Sequence, residues 1–171
     1  MPVESATAMF WFIGGTEWQR VIHKFKYSGR WFFAQKMGEW LGEELRDSGN
    51  FEDVDLIIPI PLHFRRRLIR GYNQSEQLAF GIGRKLGAEC DFGAVRRRLY
   101  NESQTSKSDV ERWSNVAEIF EVQSVERLRG RHILLVDDVL TTGATAGECA
   151  RMLLTAGAKE VHCAVIAAVR K

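Results

Sequence analysis

The chain has 171 residues, of which 45% are hydrophobic and 27% charged, and its formal net charge at pH 7 is +2. This length suits one domain with a sizeable core, and the composition is ordinary for a globular protein. No uncharged apolar run reaches membrane-spanning length, the N-terminus lacks the pattern of a signal peptide, and the charge is too small to indicate nucleic-acid binding by itself.

The cysteines and histidines of the sequence do not follow a metal-binding pattern. Cys90, Cys149 and Cys163 are far apart, with no CxxC pair, and the 4 histidines are equally scattered. Two of the cysteines lie in apolar segments, which favours buried free thiols over disulfides or metal ligands. This usage of cysteine predicts a reducing, cytoplasmic environment.

The first third of the chain predicts two helices and a strand. Apolar residues at helical spacing indicate helices over 18–25 and 31–45. A run of apolar residues over 54–58 then predicts a buried strand that ends at Pro59.

The middle of the chain predicts a third helix, over 73–86. Asn73 can cap this helix, and Glu76 three residues later completes a capping box. Gly87 then ends the helix. Further on, 94–99 has the pattern of a strand, although its three consecutive arginines weaken that prediction.

The last third of the chain predicts a strand, a helix and a final strand, over 133–136, 146–156 and 161–169. With the earlier elements, this alternation predicts an α/β fold in which helices cover both faces of a mainly parallel sheet. No repeat, low-complexity tract or linker interrupts the alternation, so we expect a single domain.

The most informative segment leads from the strand at 133–136 into two acids and a loop of small residues. Asp137 and Asp138 come directly after the apolar run. The residues that follow them are Val139, Leu140, Thr141, Thr142, Gly143, Ala144 and Thr145. Because Gly143 and Ala144 carry no bulky side chain, a phosphate can approach the backbone N–H groups closely, and the threonine hydroxyls add donors.

The acids narrow the choice of ligand. Carboxylates repel a bare phosphate, so Asp137 and Asp138 indicate a ligand that carries hydroxyls or a divalent cation beside its phosphate, such as a phosphorylated ribose. The alternative is an acidic strand end before an ordinary helix N-cap, which explains single residues but not the whole ordered run. The sequence contains no GxxxxGK[ST] pattern, which excludes a Walker-type nucleotide loop.

The segment from Ile133 to Thr145 resembles, at every position, the phosphoribosyl-diphosphate (PRPP) signature of the type I phosphoribosyltransferases. The resemblance implies their Rossmann-like fold, a mainly parallel sheet flanked by helices. It also implies that Asp137 and Asp138 hold the ribose 2′- and 3′-hydroxyls. Thr141 to Thr145 would hold the 5′-phosphate, with Val139 and Leu140 in the same substrate-binding segment.

A second segment combines a proline-stiffened turn with clustered arginines. The turn consists of Ile60, Pro61 and Leu62, and the arginines Arg65, Arg66, Arg67 and Arg70 follow it. Guanidinium groups bind phosphate oxygens bidentately, whereas the alternative for this run is a solvated basic face or a nucleic-acid patch. In type I phosphoribosyltransferases a loop at this place binds the pyrophosphate. The resemblance implies this role for the turn, with Arg67 and Arg70 as the preferred arginines.

The resemblance narrows to the competence protein F (ComF) branch of these enzymes. Its marks are Pro-Ile-Pro-Leu at 59–62, Arg-Gly-Tyr-Asn-Gln at 70–74 and Lys-Phe-Lys-Tyr at 24–27. It covers roughly residue 17 to the C-terminus, so we expect a phosphoribosyltransferase domain over 17–171 and a tail or remnant of a connection over 1–16. Members of this branch usually begin with a four-cysteine zinc module, and this sequence has no residues to build one.

Residues 100–115 are polar and have no apolar period, as in an ordinary exposed loop. In related enzymes a loop at this place closes over PRPP and excludes water. The resemblance implies substrate-binding roles for Ser103, Gln104 and Thr105, and a catalytic role for Lys107 at the leaving pyrophosphate. Structureless loops of this length are uncommon in compact domains, which favours a function.

These features predict a phosphoribosyltransferase that transfers the phosphoribosyl group to an unidentified nitrogen acceptor and releases pyrophosphate. Mg²⁺ is the expected cofactor, bound through PRPP rather than in a cage of protein ligands. Helices over 17–47 would form a hood that reads the acceptor. Exposed aromatic residues at 10–12 would suit a partner or the zinc module of the branch. The sequence leaves the oligomeric state open.

Two other functions are open. The first is a non-catalytic PRPP-binding or DNA-uptake component, because the branch name implies the competence machinery as a partner. The second is a nucleic-acid binder that uses the arginines at 65–70 and 96–98. The intact acids and phosphate loop favour a PRPP-binding component over a nucleic-acid binder. Pyrophosphate release would distinguish an enzyme from a component that only binds PRPP.

Overall fold

The computed structural model describes residues 1–13, 31–62, 67–68, 71–97 and 120–170. The strands in these ranges are β1 (Ala6–Ile13), β2 (Leu56–Pro59), β3 (Glu89–Cys90), β4 (Val95–Arg97), β5 (Phe120–Val122), β6 (His132–Leu140) and β7 (Glu160–Arg170). The helices are α1 (Trp31–Asp47), α2 (Gln74–Leu86) and α3 (Ala144–Thr155). No helix among them is long and apolar enough to cross a bilayer.

The main sheet has five strands in the order β1-β7-β6-β2-β3, and its paired strands all run parallel. β4 and β5 form a separate antiparallel pair. The mainly parallel α/β fold predicted from the sequence is therefore confirmed. Because the carboxyl ends of parallel strands meet at one edge, β2 and β6, which are neighbours, deliver the residues after them to the same place.

β6 lies at the centre of this sheet and is buried on both faces. Ile133 and Leu135 belong to a hydrophobic cluster that includes residues of α3. Leu134 and Val136 belong to a second cluster, which includes residues of α1 and α2. Successive side chains of a strand point to opposite faces of the sheet. A strand that is buried on both faces therefore has a continuous run of apolar residues.

α1 and α2 pack so closely that their backbones meet at glycines. A Cβ atom added at Gly38 would lie 2.3 Å from the carbonyl oxygen of Leu78, and one added at Gly81 would lie 2.3 Å from that of Gln35. Two ion pairs flank this crossing, formed by Arg84 with Glu39 and by Lys85 with Glu43. The crossing fixes α2, whose first turn borders the cavity described below.

The N-terminal segment differs from the sequence-based expectation. Residues 1–16 are expected to form a tail or the remnant of a connection, but Ala6–Ile13 is a strand of the main sheet. It pairs in parallel with β7 along most of its length, from Ala6 opposite Cys163 to Ile13 opposite Arg170. The physical reason is that residues 10–13, which are aromatic or β-branched and have high β-propensity, extend the sheet beyond β7.

Other element boundaries differ by a few residues. α1 and α2 match the helices predicted over 31–45 and 73–86. The predicted strand at 133–136 continues through the two acids to Leu140. In the segment predicted as a strand at 94–99, the described strand Val95–Arg97 pairs with β5, outside the main sheet. The helix predicted over 18–25 lies outside the described residues.

Candidate functional site

A cavity of about 260 Å³ opens at the edge of the sheet where β2 and β6 end. Three segments supply most of its wall: the turn after β2, the start of α2, and the end of β6 with the loop behind it. Its lining residues are Ile60, Pro61, Leu62, Asn73, Gln74, Ser75, Arg97, Asp137, Asp138, Val139, Thr141 and Thr145. Open α/β sheets bind ligands at such a place, outside the carboxyl ends of neighbouring strands.

The turn after β2 is fixed to the strand beside it. The Ile60 N–H donates to the carbonyl oxygen of Val136, the residue before Asp137, at 2.8 Å. The Asn73 side-chain amide donates to the Ile60 carbonyl oxygen at 3.1 Å. The turn is therefore held at a fixed distance from both the acid pair and the start of α2.

α2 begins with the residue that the sequence predicts as its cap. The Asn73 Oδ1 accepts a hydrogen bond from the Ser75 N–H at 3.2 Å, and Gly87 ends the helix in the left-handed conformation. The Glu76 carboxylate, which the capping-box pattern assigns to the helix start, lies 3.3 Å from the Arg67 guanidinium. Glu76 therefore forms an ion pair with Arg67.

The first acid of the pair is held by two donors. The Ser75 hydroxyl donates to Asp137 Oδ1 at 3.0 Å, and the Asp138 N–H donates to the same oxygen at 2.8 Å. Two donors on one oxygen restrict the rotation of the Asp137 carboxylate. Both acids line the cavity, so their charge faces any ligand bound there.

Two buried thiols lie close to this carboxylate. Burial raises the pKa of Cys163 to about 12, and the negative charge of Asp137 contributes to the shift. Burial also raises the pKa of Cys149, with Asp137 again a smaller cause. Cys149 and Cys163 are free and fully buried, as the sequence predicts. Asp137 and Asp138 therefore lie next to the hydrophobic core, and these thiols do not form a second polar site beside them.

The loop after β6 leads directly into a helix N-terminus. Gly143 has a φ of 76°, a conformation that glycine adopts without strain, and its carbonyl oxygen accepts from the Gly147 N–H at 2.8 Å. The Thr142 hydroxyl accepts from the Ala144 N–H at 3.4 Å. The N–H groups and positive dipole end of α3 favour an anion at this loop.

Comparison with known proteins identifies the family. Residues 72–171 match the phosphoribosyl transferase domain. The chain belongs to the phosphoribosyltransferase family. In keeping with this, its fold is similar to that of the glutamine PRPP amidotransferase of B. subtilis, with a TM-score of 0.56 and 20% identity over 77% of this chain and 25% of that one.

Two curated relatives connect this phosphoribosyltransferase domain with ComF. The DNA utilization protein YhgH of Escherichia coli (strain K12) is 35% identical over 83% of this chain and 63% of that protein. Competence protein F of Haemophilus influenzae is 30% identical over 83% of this chain and 64% of that protein. These relatives confirm the ComF resemblance, and the chain spans somewhat less than two thirds of their length.

The cavity at the ends of β2 and β6 brings together residues that are far apart in the sequence. Those predicted as site residues and found in its wall are Asp137, Asp138, Val139, Thr141, Thr145, Ile60, Pro61 and Leu62. Leu140, Thr142, Gly143 and Ala144 belong to the adjoining strand end and loop. Arg67 is exposed beside Glu76 and is not among the described lining residues. Arg70, Ser103, Gln104, Thr105 and Lys107 lie outside the described residues.

Four lining residues are not among the predicted site residues: Asn73, Gln74, Ser75 and Arg97. Asn73, Gln74 and Ser75 are almost fully buried, which is unusual for polar side chains at the start of a helix. A signal for Asn73 and Gln74 exists in the Arg-Gly-Tyr-Asn-Gln motif, whose polar end precedes an apolar helix face. Arg97, whose guanidinium carbon lies 5.7 Å from the ring centroid of Phe120, has no such local signal.

Proposed function

We propose that this domain binds PRPP in the cavity and transfers its phosphoribosyl group to a nitrogen acceptor, with release of pyrophosphate. The observation that carries the proposal is that one cavity is lined by the acid pair, by threonines of the loop after β6 and by the turn after β2. A phosphorylated sugar with a second polyanionic group needs these three kinds of partner at once.

Each part of PRPP has a chemically suitable partner in this proposal. The ribose hydroxyls donate to the carboxylates of Asp137 and Asp138. The 5′-phosphate accepts from the N–H groups at the start of α3 and from the Thr141 and Thr145 hydroxyls. The pyrophosphate lies against the turn at 60–62, where the Leu62 N–H can donate to the charge that accumulates as the bond to C1 breaks.

Cationic side chains would neutralise the charge of the pyrophosphate. Arg97 supplies a guanidinium at the cavity wall, and Arg67 would have to exchange Glu76 for a phosphate oxygen. Arg70 and the loop residues Ser103, Gln104, Thr105 and Lys107 keep the roles that the family resemblance implies. We propose that this loop closes over bound PRPP and excludes water from the reacting carbon.

The donor set of the cavity suits Mg²⁺ bound together with its substrate. Two adjacent carboxylates line the cavity, and the part of the chain that the structure describes has no group of three or more His, Cys, Asp or Glu side chains placed for a metal ion. Mg²⁺ commonly uses one or two carboxylates, with substrate oxygens and waters as its other ligands. When bound, the ion would neutralise charge on the pyrophosphate. We place the protein in the cytoplasm, where its free thiols would stay reduced.

The proposal predicts that PRPP binding depends on the acid pair. PRPP with Mg²⁺ should bind saturably to the wild type in a calorimetric titration. The Asp137→Asn/Asp138→Asn double variant should lose about 100-fold in affinity or more, since each charged hydrogen bond contributes about 1.5–3 kcal/mol. The matched control is Asp47→Asn/Asp53→Asn, which neutralises two exposed acids outside the cavity and should bind as the wild type does. A folded wild type that does not bind PRPP would exclude this function.

A second candidate function follows from the relatives, whose names refer to competence and to DNA utilization. In this case the domain binds PRPP without efficient turnover and serves DNA uptake. Pyrophosphate release with saturating PRPP and a panel of bases and amines distinguishes the two. Release that requires an acceptor and both acids would support the transferase. Tight PRPP binding with no release above the level of the double variant would favour the binding component.

A further inference from the structure

A chain of hydrogen bonds joins the two halves of the cavity through the first turn of α2. The Asn73 side chain donates to the Ile60 carbonyl oxygen at 3.1 Å and accepts from the Ser75 N–H at 3.2 Å. The Ser75 hydroxyl then donates to Asp137 Oδ1 at 3.0 Å. The turn that faces the proposed pyrophosphate position is thereby tied to the carboxylate that faces the ribose.

The stability of α2 does not require the Ser75 hydroxyl. Asn73 already caps the helix, and alanine has a higher helix propensity than serine at a position inside it. Ser75 is only 3% exposed, and its hydroxyl bonds to a residue 62 positions away in the sequence. Burial of a polar group is unfavourable unless it is paired, and the Asp137 carboxylate is the partner that satisfies this hydroxyl.

We propose that Ser75 is a positioning residue that orients the Asp137 carboxylate for the ribose hydroxyls. This inference rests on the proposed function, because it assigns the ribose to Asp137. With the Asp138 N–H donating to the same Oδ1, the carboxylate is fixed before the ligand arrives. A group that is already oriented loses less conformational entropy on binding, and the ligand is bound more tightly.

The test compares three ligands on the full chain: PRPP, ribose 5-phosphate and pyrophosphate, each titrated with Mg²⁺ by calorimetry. Ser75→Ala should weaken binding of the two ribose-containing ligands about ten-fold, the effect of one hydrogen bond to a charged group. Its affinity for pyrophosphate should stay unchanged, because alanine keeps the backbone N–H that donates to Asn73 and loses only the hydroxyl bonded to Asp137. Ser75→Thr keeps the hydroxyl and should recover most of the affinity.

The matched control is Ser124→Ala, which removes an exposed hydroxyl that also donates to a carboxylate, that of Glu126 at 3.2 Å. It should bind all three ligands as the wild type does. An equal loss for all three ligands in Ser75→Ala, or no recovery in Ser75→Thr, would show a packing defect and overturn the assignment. Unchanged PRPP binding in Ser75→Ala would overturn the role of Ser75 but leave the proposed function in place. A wild type that does not bind PRPP would overturn both.

Discussion

The thiols of this protein are kept protonated by their surroundings. Burial raises the pKa of Cys163 to about 12 and that of Cys90 to about 11, and it raises the pKa of Cys149 as well. Since the thiolate is the nucleophile, we expect the native protein to react slowly with a disulfide reagent at neutral pH. In concentrated urea all 3 cysteines should react rapidly. Rapid reaction of Cys149 or Cys163 in the native protein would contradict their buried placement, whereas Cys90 is only partly buried.

The same shifts set a pH dependence of stability. The folded-state pKa values lie above the ordinary thiol value of 9.0. The stability contributed by the neutral thiols is therefore complete below pH 9.0 and is lost as the pH rises through about 11 and 12. Urea midpoints measured at increasing alkaline pH should fall in this window, and a Cys163→Ala variant should fall less steeply than the wild type.

At the scale of elements, the crossing of α1 and α2 depends on glycine. A Cβ at position 81 would lie 2.3 Å from the Gln35 carbonyl oxygen and 2.7 Å from the Glu39 nitrogen. Gly81→Ala should therefore destabilise the protein by about 1–3 kcal/mol, because separating the two backbones outweighs the higher helix propensity of alanine. Chemical denaturation monitored by circular dichroism measures this difference.

The matched control is the same substitution in α3. A Cβ at Gly147 would meet a side-chain carbon of Met1 at 3.3 Å, a flexible neighbour that can move. Gly147→Ala should leave the free energy of unfolding unchanged or raise it by up to about 1 kcal/mol. Equal effects of the two substitutions would show that the close approach at Gly81 does not determine the packing.

Sequence patterns predict α1, α2 and the loop after β6 because their signals are local. Apolar spacing and a capping residue lie within one helix, and the acids, threonines and Gly143 are contiguous. The glycine crossing depends on a partner helix that no window of sequence contains. Ser75 and Arg97 are missed for the same reason, since their roles depend on the distant residues Asp137 and Phe120.

At the scale of the whole molecule, one edge of the sheet carries the proposed site and the order of strands determines which loops reach it. β6 contributes the acids, and its neighbour β2 contributes the turn at 60–62. β7, on the other side of β6, is apolar and buried over most of its length. It stabilises β6 by pairing with it, and none of its described residues lines the cavity. Its own outer neighbour is β1, so the stability of the site depends indirectly on the N-terminal strand.

This dependence makes the first residues a test of the whole architecture. Because Ala6–Ile13 is a strand of the sheet, deleting residues 1–13 removes the partner of β7 from Cys163 to Arg170 and exposes its backbone. We expect the free energy of unfolding to fall by at least about 1–3 kcal/mol, because a whole row of backbone hydrogen bonds is lost rather than a single side-chain contact. Urea denaturation of the shortened and full chains measures the difference.

A control within β1 separates backbone pairing from side-chain effects. Trp11 is 65% exposed, so Trp11→Ser leaves the pairing with β7 intact and should change the free energy of unfolding by no more than about 0.5 kcal/mol. The deletion should also speed amide hydrogen exchange in β7 while exchange in α2 changes less, because β7 becomes the edge of the sheet. A deletion variant with unchanged stability and exchange would mean that the segment is a tail, as the sequence pattern alone predicts.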